Sequence, residues 1–121
     1  MLFLVMTQDE RIAQHIWHES LQKSIKPLSW GISLSTIKVI ESGTAFRIRG
    51  KFNGVVKILY NQKRNIYKVM IKSDFENKPI VYKNVLLKNL VPVIDQVITH
   101  ASKYQPVEFH KIPNMQERMA V

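Results

Sequence analysis

Eight side chains between Ser42 and Ser73 carry positive charge: Arg47, Arg49, Lys51, Lys57, Lys63, Arg64, Lys68 and Lys72. No Asp or Glu stands between Glu41 and Asp74, whereas the rest of the chain holds ten basic and nine acidic residues. The formal net charge of +9 is therefore concentrated in one segment. Guanidinium and ammonium groups gathered without carboxylates attract polyanions, and they bind nucleic acid by releasing counterions from its phosphates. A basic surface also serves solubility, but surfaces built for that purpose mix signs. The expected partner is thus the backbone of DNA or RNA, held by these eight side chains. An acidic protein surface, docked by the same cations in an interaction or inhibitor module, is the alternative.

The remaining chemistry-bearing residues carry less. His15-Ile16-Trp17-His18-Glu19 sets two imidazoles three positions apart, whereas the metalloprotease pattern needs them at i and i+4 with Glu beside the first. No third ligand stands out, and closed zinc sites need four, so the pair is read as solvated helix histidines and no metal is expected. There is no cysteine, which removes thiolate catalysis, disulfides and cysteine-ligated zinc. The glycines, Gly31, Gly43, Gly50 and Gly54, form no phosphate-cradling loop and read as a linker, two turns and a bulge. A metal-independent ribonuclease would use Arg47, Lys51 and Lys57 with a histidine, His100 or His110, as acid, base and charge stabiliser. Its resemblance to small basic domains that cut mRNA is one of style, and no residue maps onto their motifs. A non-enzymatic binding domain without cofactor is therefore expected, with the ribonuclease as a further alternative.

The elements that position the cations follow from periodicity. Apolar residues at Ile12, Ala13, Ile16, Trp17, Leu21 and Ile25 mark a helix from Thr7 or Gln8 to Lys26, capped by Thr7 with Glu10 in capping-box spacing and stopped by Pro27. After a linker, PLSWGIS, the pattern predicts four strands, Thr36–Glu41, Ala45–Phe52, Val55–Tyr60 and Ile66–Lys72. Ser42-Gly43, Asn53-Gly54 as a type I′ turn, and the loop Asn61–Asn65 join them into an antiparallel meander. Ile80–Tyr82 reads as a short edge segment. A second helix runs from about Asn89 to Ser102 with Pro92 in its first turn, where the missing N–H costs nothing. The fold class is α+β in two layers: N-terminal helix, four-stranded antiparallel meander, C-terminal helix.

Side chains alternate across a strand. Phe46, Ile48, Phe52, Val56, Ile58, Tyr60, Tyr67, Val69 and Ile71 then share one face, which the helices must cover. Arg47, Arg49, Lys51, Lys57, Lys68 and Lys72 share the other, with Val55, Leu59, Ile66 and Met70 among them. That apolar remainder implies partial cover by the tail or by a second subunit in a homodimer. The strand aromatics lie on the apolar face. Trp30 and Tyr82 are the candidates for base stacking, although both also suit the rim of the core.

At 121 residues the chain suits one domain, placed at 1–103, with 104–121 as a tail. MLFLVM reads as a short first strand, or as residues preceding Met6 as initiator. It is too short to span a membrane and lacks the parts of a secretory signal, so a cytoplasmic protein without a membrane partner is expected. Trp30-Gly31, Tyr60-Asn61, Asn65-Ile66-Tyr67-Lys68-Val69 and Leu90-Val91-Pro92-Val93-Ile94-Asp95 together resemble small uncharacterised proteins of bacterial phages and plasmids, over about residues 28–98. The resemblance implies a bacterial cytoplasm and a mobile or defence-related element, and no activity.

Overall fold

The computed structural model describes residues 5–102. Helix α1 (Gln8–Glu19) opens with the expected capping box. The Thr7 hydroxyl accepts from the Glu10 N–H at 3.1 Å, and the Thr7 N–H donates to Glu10 Oε1 at 2.8 Å. The helix ends at Glu19, seven residues before the predicted Lys26. Ser20 leaves helical geometry (φ −134°, ψ −72°), and two short 3₁₀ turns, Leu21–Lys23 and Lys26–Ser29, carry the chain to the sheet. The early exit drives Leu21, Pro27 and Trp30 into the interior and leaves Ile25 exposed. A continuous helix would have spread these residues around its circumference.

Five strands follow as an open antiparallel sheet in sequential order: β1 (Ile32–Ile40), β2 (Gly43–Arg49), β3 (Asn53–Asn61), β4 (Ile66–Ser73) and β5 (Ile80–Val85). The predicted edge segment is a full fifth strand. β1 also begins earlier than Thr36, because a wide bulge hides its start. Ser33 pairs with Arg47 and Lys38 with Ala45, so Leu34, Ser35, Thr36 and Ile37 stand against Phe46 alone. The Thr36 hydroxyl accepts from the Arg47 N–H at 2.9 Å and donates to the Ser33 carbonyl at 2.6 Å, replacing the missing ladder bonds. A 3₁₀ turn, Leu87–Asn89, leads into α2 (Leu90–Ser102), with Pro92 in its first turn. Of the predicted termini, the tail 104–121 and Met1–Leu4 lie outside the described residues. Val5 and Met6 are in no strand.

Both helices cover one face of the sheet, α1 over β1 and β2, α2 over β4 and the Lys26–Ser29 turn. Phe46, Ile48, Val56, Ile58, Tyr67, Val69 and Ile71 meet Ile16, Trp30, Leu90, Val91, Ile94, Val97 and Ile98 in a single core. Polar pins fix the layers. The Trp17 indole donates to Thr44 Oγ1 at 3.1 Å, and its ring packs against Phe46 tilted by 60°. The Trp30 indole donates to Asp95 Oδ1 on α2 at 2.9 Å. The Ser42 N–H donates to Asp9 Oδ1 on α1 at 2.9 Å.

The β2–β3 connection corrects the predicted type I′ turn. Asn53 and Gly54 pair in the ladder with Arg49 and Ile48, and neither has positive φ. The turn is Gly50-Lys51-Phe52. The Asn53 side chain closes it, accepting from the Gly50 N–H at 3.3 Å and donating to the Gly50 carbonyl at 3.2 Å. The glycine is required for space: a Cβ at Gly54 would collide with the Lys72 carbonyl and lie 2.8 Å from Phe52 Cε2. Phe52 folds back over Gly54 and is buried, although it is not in a strand. Gly54→Ala should therefore cost about 1–3 kcal/mol, as overpacking against backbone does. A matching drop in the urea or thermal midpoint checks this, and an unchanged midpoint would show that the carbonyl and ring can give way.

Candidate nucleic-acid interface

The face of the sheet away from the helices holds Lys38 from β1, Arg47 and Arg49 from β2, Lys57 from β3, and Lys68 and Lys72 from β4, by the strand pairing. Lys38 was not singled out by sequence reasoning. Its pairing with Ala45 puts it on this face, and that register cannot be read through the β1 bulge. Lys51 is exposed at the tip of the β2–β3 turn rather than on the face. Lys63 and Arg64 occupy the β3–β4 turn at the opposite end, where the Asn61 side chain accepts from the Arg64 N–H at 3.2 Å. The eight predicted cations thus form a central group, with Lys51 at one end and Lys63 and Arg64 at the other. β3 alone is nine residues long, roughly 30 Å at ~3.3 Å per residue.

Parity alone left like charges as neighbours; the ladder separates them. Across the strands, Lys38, Ala45, Lys57 and Met70 lie in one row, Ser33, Arg47, Val55 and Lys72 in a second, and Leu59 and Lys68 in a third. Within β1–β4 every paired cation directly faces an uncharged residue, which avoids the repulsion of directly opposed like charges there; at the β5 irregularity Lys83 and Asn84 stand opposite Lys68. Val55, Leu59 and Met70 between the cations are half-buried, consistent with lysine stems lying along them while the ammonium groups stay in water.

One cation is neutralised. Arg47 donates to Asp74 Oδ2 at 2.8 Å, which corrects the expectation of a face without an interleaved anion. The pair is partly exposed and contributes at most about 1 kcal/mol. It ties the loop after β4 to β2, with the Asp74 N–H donating to the Asn53 carbonyl at 2.9 Å. No ion pair to a carboxylate is found among the described residues for Lys38, Arg49, Lys57, Lys68 or Lys72.

Neither expected stacking candidate lies on this face. Trp30 is 2% exposed in the core. Tyr82, 40% exposed, pairs with Val69 and so belongs to the helical side at the β5 edge. His15 and His18 are exposed on α1 and His100 on α2, in the other layer, so no described histidine joins Arg47 and Lys57 as the ribonuclease reading requires. His110 lies outside the described residues. Among the described residues no three His, Asp or Glu side chains gather as metal ligands, and no helix is long and apolar enough to cross a membrane.

At the β3–β4 turn the face runs into a groove of about 710 Å³, lined by Lys63, Arg64, Lys68 and Lys83 together with Glu41, Leu59 and Ile66. Lys83, from the irregular stretch of β5, is a second cation that sequence reasoning missed. Tyr60 and Tyr67 border the same groove with ring centroids 5.0 Å apart, and the Tyr60 hydroxyl donates to Asn65 Oδ1 at 2.9 Å. Burial, and secondarily the neighbouring Tyr60, push the Tyr67 phenol above its ordinary range. On α1, the hydrogen bond and charge of Lys23 hold the exposed Glu19 carboxyl below its own.

Comparison with family models, with curated proteins and with solved structures finds no match for the chain.

The Tyr67 environment has a pH consequence. The folded state favours the neutral phenol, so its contribution to stability is intact below the unfolded tyrosine pKa of about 10 and is lost as pH rises through the higher folded value. Denaturant midpoints on the alkaline side should fall less steeply for Tyr67→Phe than for the parent. Parallel declines would show that Tyr67 ionises as freely folded as unfolded.

Proposed function

We propose that the chain is a non-enzymatic nucleic-acid-binding domain that grips phosphates with the outer face of its sheet. The observation that carries this reading is the set Lys38, Arg49, Lys57, Lys68 and Lys72, presented on one face with no carboxylate among the described residues bound to any of them. Lys51, Lys63 and Arg64 extend it at the two ends, and Arg47 joins when a phosphate displaces Asp74. The work is electrostatic: each contacted phosphate releases condensed counterions, and affinity comes from their entropy. A bacterial cytoplasm and a mobile element belong to the same proposal.

The apolar residues between the cations favour a second reading, an acidic protein whose own apolar side chains would sit on Val55, Leu59 and Met70. Salt titration separates the two. The five cations of the face alone give a slope of log affinity on log salt near −4.5, so binding to a labelled oligonucleotide should weaken at least about 500-fold between roughly 50 and 200 mM salt. Neutralising Lys57 alone, as Lys57→Gln, should make the slope shallower by about one. Charge reversal of Arg49, Lys57 and Lys72 together should abolish the shift. As surface changes they should move stability by only about 0.5 kcal/mol each, which a thermal melt verifies. No retardation of nucleic acid at the lower salt sinks the proposal.

A further inference from the structure

We infer that the face is built for double-stranded DNA held by its two backbones, without reading of base sequence. The inference rests on the nucleic-acid reading above and names the form of its ligand.

The first observation is the layout of the cations. A single strand offers one line of phosphates, and a protein that follows it needs a line or groove of charge. Here the charges form a two-dimensional array. Lys68 and Lys72 lie on one strand, four residues apart, which is roughly 13 Å at ~3.3 Å per residue. Arg49 and Arg47 lie on β2, two strands away, hence about 10 Å at ~4.8 Å per strand. Lys57 sits between the two columns on β3 and Lys38 extends the array onto β1. Two columns about 10 Å apart, carried on long side chains, suit the phosphate rows on either side of a B-form major groove, about 12 Å wide. A-form RNA has a deep, narrow major groove, and its wide, shallow minor groove displays 2′-hydroxyls for which Val55 and Leu59 between the cations offer no partner.

The second observation is what the array lacks. Binding of single strands without sequence preference relies on aromatic platforms for successive bases, worth about 1–3 kcal/mol each. Phe46 and Tyr67 are buried on the opposite side of the sheet, Tyr60 packs against Tyr67 at the border of the β3–β4 groove rather than on the face, Phe52 and Trp30 are buried, and Tyr82 is on the helical side of the edge. Phe75, 49% exposed, stands alone in the loop after β4. Between the cations are mainly Ala45, Val55, Leu59 and Met70, whose side chains carry no N–H or O–H donor; Ser33 stands opposite Arg47, and Asn53, opposite Arg49, has its amide engaged with Gly50. The outer surface is a sheet face, with no helix among the described elements placed to enter a groove. Among the described residues of the face, a base edge would have to be read by the arginines and lysines themselves, which under this inference are engaged by the two backbones.

The test is a fluorescence-anisotropy titration of the full chain at one low salt concentration against four probes: a short DNA duplex, a duplex of shuffled sequence, one of its separated strands, and an RNA duplex of the same sequence. The two DNA duplexes should bind within about threefold of each other, since arginines and lysines engaged with phosphates make no bidentate base contact, worth about 1–3 kcal/mol, to separate them. Both should bind at least about tenfold tighter than the single strand, whose lower charge density also gives the shallower salt slope of about 0.7 rather than 0.9 per contact. Equal or tighter binding of the single strand or the RNA duplex, or strong discrimination between the DNA sequences, overturns this inference while leaving the basic face as a nucleic-acid site. If Phe75→Ala weakens single-strand binding and leaves the duplex unchanged, stacking is limited to that one ring and the inference stands; if it weakens duplex binding about tenfold, recognition by phosphates alone is wrong. Failure of all four probes, with binding to an acidic polypeptide instead, overturns the underlying reading as well.

Discussion

The whole arrangement depends on an unbroken central ladder. From Gly43 opposite Leu59 to Arg49 opposite Asn53, and from Gly54 opposite Ser73 to Asn61 opposite Ile66, β2, β3 and β4 pair without a register shift. Because side chains alternate with a period of two, a slip of one residue anywhere in this stretch would carry lysines into the core and isoleucines into water. Burial of Phe46, Ile48, Val56, Ile58, Val69 and Ile71 fixes the register, and the register then places Arg47, Arg49, Lys57, Lys68 and Lys72. The cationic face is in this sense a by-product of core packing: the hydrophobic effect spends nothing on it, yet determines where each charge stands.

Charge segregation between the two layers has a second cause, the employment of the acids. On the helical side Glu10 caps α1, Asp9 holds the β1–β2 turn, Glu19 pairs with Lys23, and Asp95 accepts from both Trp30 and Lys26. Each is engaged in joining segments of that layer. On the sheet side Asp74 is similarly engaged, anchoring a loop through Arg47. These carboxylates therefore act as local clamps, and those of the helical layer lie across the core from Lys57 and its neighbours, whereas Glu41 lines the groove beside Lys63 and Arg64.

Legibility in the sequence followed the regularity of the backbone. Strict alternation in β2, β3 and β4 made their two faces readable, and the Thr7–Glu10 spacing gave the start of α1. Irregular backbone was opaque. The end of α1 at Glu19 is dictated by burial of Leu21 and Trp30, contacts distant in the chain. The bulge in β1 breaks the period of two and concealed Lys38. Asn53-Gly54 carries a strong turn signal, but its residues serve other needs, a side-chain bridge across Gly50 and room for Phe52. The Arg47–Asp74 contact joins residues 27 positions apart and depends on how the loop after β4 folds back. Local pattern thus revealed the face, and long-range packing set its detailed charge.

The two outer strands share a property whose effect reaches beyond the single molecule. β1 is interrupted between Ser33 and Lys38, and β5 shifts register beside Asn84, which adopts φ 59°. An open sheet with straight margins offers rows of free N–H and C=O groups onto which further chains can zip, the first step toward fibrous aggregates. Distortion at both margins spoils that template. A sheet whose outer face the described helices leave uncovered is thereby guarded against growing sideways into its own kind.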